Sequence, residues 1–128
     1  MKASFVTLLL TLVLSQTAFA HGMNKAGPHG GYVRMPGAYH VELVPVDKEL
    51  KVYFLDMAFA PISIDQASVT LTLRGKTTLK AECLKELHFF RCDTKDQSFK
   101  SFREIIVEST KDGKASASSN YKVPLSFQ

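Results

Sequence analysis

Outside its first 20 residues the chain holds no long apolar run. A membrane-spanning helix needs roughly 20 apolar residues, so residues 21–128 are expected to carry no transmembrane segment. No basic block exceeds two residues, and the formal net charge is only +4 with Lys2 included. So weak a field makes nucleic acid a poor partner. There is no glycine-rich phosphate loop, no Gly-x-Ser-x-Gly elbow and no close carboxylate pair on a predictable frame. An enzyme is therefore the weaker expectation, and any reaction would be metal-based. No apolar pattern at i, i+3, i+4, i+7 persists for three turns beyond residue 20, and no internal repeat is visible.

What is present begins with a leader. Lys2 supplies a positive n-region, residues 5–14 are apolar or threonine, and Ala18-Phe19-Ala20 offers small residues where a signal peptidase reads. Residues 1–20 are expected to be removed after Ala20, leaving His21 as the first residue of a periplasmic or secreted protein. Residues 21–31, with four glycines and a proline, read as a flexible arm. Residues 32–128 are long enough for one domain with one core.

That domain reads as β throughout. Residues 32–35 suggest a short strand ended by Pro36-Gly37, whose types suit a turn. Residues 39–46 alternate, with Tyr39, Val41 and Leu43 on one face and His40, Glu42 and Val44 on the other, which is the period of a half-buried strand. Residues 50–55 alternate again after a turn at residues 47–48. Residues 56–67 contain Pro61 and read as a crossover loop with a strand fragment at 62–64, bracketed by Asp56 and Asp65 as solvated acids. Strands follow at residues 68–74, 77–84, 87–92, 103–109 and 121–127, with Asp112-Gly113 as a hairpin signal. Residues 98–108 also carry a helical face, but their β-branched close favours a strand. Seven or eight short strands predict an all-β, antiparallel β-sandwich of immunoglobulin-like size.

Chemistry gathers at the amino-terminal end. Three of the four histidines and two of the four methionines fall within residues 21–44. His29 sits in Pro28-His29-Gly30-Gly31, and His40 lies eleven residues on, across the Pro36-Gly37 turn. If Val41 and Leu43 face the core, His40 faces outward, available to the arm. The alternatives are a solvated loop histidine for His29 and, for His40, an ordinary surface-strand histidine or one that donates to Glu42 or to a backbone carbonyl. Cleavage after Ala20 would let the α-amine and imidazole of His21 chelate one ion as in a histidine brace. Met23 and Met35 add thioethers, and Met35 beside Pro36 equally suits a gap-filling role. Imidazole suits Cu(II) and Zn(II) while thioether favours Cu(I), so the mixture points to copper, with silver and zinc as rivals.

Cys83 and Cys92 are an even pair in an exported chain and read first as a cross-strand disulfide. Eight residues separate them, against the two to four of a zinc knuckle. His88, between them, is either a fourth ligand or a partly buried structural residue among Leu87, Phe89 and Phe90.

The stretch GPHGGYVRMPGAYHVELV, residues 27–44, resembles the HGG…YHVEL pattern of some adaptor subunits of heavy-metal efflux pumps and of small periplasmic proteins. Carried over by position, the resemblance implies metal handling by His29 and His40; the coiled-coil and lipoyl-like regions of an adaptor are missing. A second, narrower similarity, on His21 alone, is to CopC-type periplasmic copper carriers, which are also small β-sandwiches. The expectation is an exported copper-binding protein that buffers the ion or delivers it to a metal-efflux or metal-delivery partner. His29 and His40 would hold the ion, with His21, Met23, Met35 or His88 assisting. Its rivals are a metal-free interaction or structural module and, third, a histidine-brace copper oxidoreductase.

Overall fold

A strand turns successive side chains to opposite faces, so alternating sequence buries one face and solvates the other. The computed structural model describes residues 25–46 and 48–127; His21 and Met23, like residues 1–20, lie outside the described residues. Eight strands form: β1 (Tyr32–Arg34), β2 (His40–Val46), β3 (Glu49–Leu55), β4 (Ala67–Arg74), β5 (Thr78–Lys85), β6 (Phe90–Asp93), β7 (Glu104–Lys111) and β8 (Ala117–Lys122). All pairings are antiparallel, in the order β1-β2-β3-β6-β5-β4-β7-β8. This is the expected small all-β fold, with eight strands in one nearly closed sheet.

Strand β5 joins the two halves. Its residues 78–82 pair with β4 and its residues 83–85 with β6, so one strand belongs to both walls. Between the walls lie Val41, Leu43, Val52 and Phe54 on one side and Leu71, Leu73, Ile105 and Val107 on the other, all essentially buried. Each such side chain contributes roughly 1.5–3 kcal/mol by leaving water.

The outer strands β1 and β8 are tied together by side chains. Arg34 Nε donates to the Asn120 carbonyl at 3.1 Å and Arg34 Nη2 to the Ser126 carbonyl at 3.2 Å. The Tyr121 hydroxyl donates to the Val41 carbonyl at 2.9 Å, deep in the core. Burial pushes the Tyr121 phenol far up, so it stays a neutral donor. Arg34, 4.8 Å over the Tyr121 ring, is pushed down by its own partial burial.

Three local differences from the sequence reading have identifiable causes. Strand β6 opens at Phe90, not Leu87, because the pairing of Cys83 with Cys92 and Lys85 with Phe90 leaves residues 86–89 as a tight turn. Glu86 N–H donates to the Phe89 carbonyl at 2.8 Å to close it, and Leu87 is left 83% exposed at its tip. Residues 62–64 form no strand; Pro61 makes one isolated bridge to Leu55, and Ile62 N–H donates to the Phe54 carbonyl. The helical face at residues 98–108 shrinks to a single 3₁₀ turn, Phe99–Ser101, capped by the Ser98 side chain.

Cys83 and Cys92 are directly opposite each other and bonded, with Cα atoms 4.1 Å apart. Replacing both by serine is expected to cost about 2–3 kcal/mol on the chain-entropy account of a loop this short. Urea unfolding of the oxidised protein and of the double variant checks it; equal midpoints would contradict it.

Candidate functional site

The outer face of β1, β2 and β3 should be wet by simple alternation, yet part of it is buried. Val33, His40, Glu42 and Leu55 are each no more than 1% exposed, although they point away from Val41 and Leu43. Register explains the grouping: Val33 stands opposite Glu42 across β1, and Leu55 opposite His40 across β3. Two loops supply the cover, residues 25–31 and residues 56–60.

The first loop is organised by a carboxylate. Glu42 Oε1 accepts the His29 N–H at 2.8 Å and the Gly31 N–H at 3.3 Å, while Oε2 accepts from His29 Nδ1 at 2.9 Å. The Glu42 side chain is fully buried and that of His29 is 30% exposed. A buried carboxylate is costly unless such donors meet it, and each charge-assisted bond restores about 1.5–3 kcal/mol. The close wrap is possible only with glycine. A Cβ on Gly27 would lie 2.5 Å from the Glu42 carboxyl carbon, and one on Gly31 would lie 2.5 Å from the Leu43 carbonyl oxygen. The expectation of a flexible arm therefore stops short of Gly27: polar contacts hold residues 27–31 where apolar material is lacking, with Gly27 N–H and Gly30 N–H closing the turn at 2.9 Å each.

His29 is correspondingly not a solvated loop histidine. Its ring stacks on Tyr53 with centroids 3.6 Å apart and planes 13° from parallel. Tyr53 stands opposite Glu42 in the β2–β3 register, and its phenol is pushed up by burial and by the Glu42 charge. Because a carboxylate can only accept, His29 Nδ1 must carry the proton, which leaves Nε2 as the lone-pair nitrogen of the neutral ring.

His40 corrects the expectation of an outward, available side chain. It does face away from the core, but it is 1% exposed beneath the second loop. Its Nδ1 donates to the Asp56 carbonyl at 2.9 Å, and its ring stacks on Phe59 at 4.5 Å. The Asp56 carboxylate, expected to be merely solvated, shapes that loop by accepting the Ala58 and Ala60 N–H groups at 2.8 and 2.9 Å. Phe59 adopts φ 64°, a left-handed conformation that costs a bulky residue about 1–2 kcal/mol. Lys25 Nζ lies 5.6 Å over the outer face of Phe59. His40 Nε2 is buried and has no hydrogen-bond partner.

Of the other residues singled out, Met35 lies just past β1 and is 37% exposed. His88 is exposed in the turn at residues 86–89, not partly buried, because that turn precedes β6. Among the described residues, no three His, Cys, Asp or Glu side chains gather as they would around a metal ion. The structure thus brings His29 to Glu42 and sets His40 two residues away on the same strand face, without bringing His88 into that group. Glu42, Tyr53 and Phe59 were not legible as site residues, although Glu42 shares strand parity with His40. Protein-family models, curated proteins and solved structures yield no match to this chain.

If the carboxylate holds the loop, Glu42→Gln turns one acceptor into a donor facing N–H groups. A loss of about 2–3 kcal/mol is expected. Gly27→Ala, which drives a methyl into the same carboxyl group, should cost about 1–3 kcal/mol. Chemical denaturation of both variants provides the check, and wild-type stability in either would contradict the cage.

Proposed function

We propose that this chain is an exported metal-binding protein, with copper as its ion, that buffers the ion or delivers it in the periplasm through His29 and His40. One observation carries the reading. Both imidazoles commit Nδ1 to an oxygen that can only accept, the Glu42 carboxylate and the Asp56 carbonyl, which turns Nε2 of each ring away from those acceptors; among the described residues that of His40 is buried without a hydrogen-bond partner. This is how metal-ligating histidines are commonly oriented: the outer hydrogen bond fixes the tautomer and raises the basicity of the nitrogen facing the ion. Export is supported by the leader-like residues 1–20 and by the disulfide, which persists in oxidising compartments. A metal-efflux or metal-delivery protein is the partner such a carrier would serve.

Two rivals remain distinct. A metal-free interaction module is favoured by Leu87 and Leu84, which are 83% and 61% exposed at the β5–β6 turn beside Phe89. A histidine-brace oxidoreductase would depend on His21, outside the described residues.

Titration with Cu(II) and Ag(I), read by calorimetry, separates them. The wild type should bind one ion, and His29→Ala/His40→Ala should lose at least roughly a hundredfold in affinity. Glu42→Gln, which disturbs the outer partner of His29 and the loop that carries it, should lose about 10–100-fold. Undiminished binding by the double variant, or none by the wild type, would contradict the reading.

A further inference from the structure

The β1–β2 register places a sulfur beside the unpartnered nitrogen. Tyr32 pairs with Leu43, Val33 with Glu42 and Arg34 with Val41. The ladder ends at that pair; continued by one residue beyond β1, the same register would bring Met35 opposite His40. Met35 also shares parity with Val33, which lies on the covered outer face with His40 and Glu42. Directly opposed residues of an antiparallel pair have Cβ atoms roughly 5 Å apart, within reach of an unbranched thioether. On the other side of His40 stands Leu55, which offers no donor, and above it lies the Phe59 ring. Continued in this way, the strand frame makes Met35 the neighbour of His40 across the end of the β1–β2 hairpin.

We propose that Met35 Sδ and His40 Nε2 are two ligands of one soft monovalent cation, Cu(I), with Ag(I) as its chemical stand-in. The inference rests on the metal-binding reading and narrows it to an oxidation state. Four features agree. His40 Nε2 is buried and lacks a protein partner. Its surroundings, Leu55, Val33 and the Phe59 ring, are apolar and disfavour a divalent ion that needs several hard or charged ligands. Thioether sulfur selects Cu(I) among biological cations, while it adds little for Zn(II) or Cu(II). The carboxylate that a divalent ion would use is already engaged, because both oxygens of Glu42 accept hydrogen bonds from His29. Met35 remains 37% exposed, so the thioether also marks the side from which an ion arrives. Phe59, held at φ 64° over His40, is the group that has to shift as the ion seats.

The test uses the protein as recovered after export, with two readouts. Methionine methyl resonances are followed by NMR during Ag(I) titration of the wild type, so no variant is needed; the Met35 methyl is expected to shift in step with saturation. Affinities for Ag(I) and Zn(II) are then compared in Met35→Leu, a volume-conserving change that the fold tolerates. Ag(I) affinity should fall at least tenfold while Zn(II) affinity stays within about twofold. Met23→Leu should leave both unchanged. An unmoved Met35 methyl, equal losses for the two ions, or a loss on Met23→Leu in place of Met35→Leu would overturn the inference and leave the metal-binding reading standing. Failure of the wild type to bind either ion would sink both.

Discussion

One buried carboxylate holds the amino-terminal end of this fold in place. Glu42 sits on the wrong face of its strand for the core, yet it is wholly covered, because the loop at residues 27–31 turns its N–H groups and the His29 ring toward it. Desolvating a charge is expensive, and these donors offset the cost only while the loop keeps its shape. The glycines at 27 and 31 follow from that demand, since any side chain there would enter the space of the carboxylate or of the β2 backbone. Stacking on Tyr53 then fixes the plane of the imidazole. Loop conformation and tautomer are thus consequences of a single side chain on β2.

His40 is arranged by the same logic with a different acceptor. A backbone carbonyl takes the place of the carboxylate, and a phenyl ring takes the place of the loop. Both histidines end with Nε2 as the nitrogen left for chemistry, one partly exposed and one enclosed. They differ in access to solvent.

Much of the frame was legible because it rests on period two. Val41, Leu43, Leu71, Leu73, Ile105 and Val107 alternate, and each lies in the core. The disulfide was legible because two cysteines flank one hairpin. The burial of His40 was not legible, since parity tells which face a side chain occupies but not what covers that face. The covers here are polar or irregular segments, residues 25–31 and 56–60, whose hold depends on hydrogen bonds to Glu42 and Asp56 and not on an apolar pattern. Glu42 itself read as an ordinary solvent-facing residue for the same reason. His29 and His40 were singled out by type and spacing, and what the sequence could not convey was that separate acceptors orient them.

Glu42 and the Asp56 carbonyl dictate which imidazole nitrogens are free. Side-chain ¹⁵N NMR of the histidines, recorded before and after one equivalent of Ag(I), addresses it directly. Nδ1 of His29 and of His40 is expected to carry the proton in both states, with only the Nε2 resonances moving with the ion. A proton on Nε2 of either ring in the metal-free protein, or a metal response confined to His88, would contradict it.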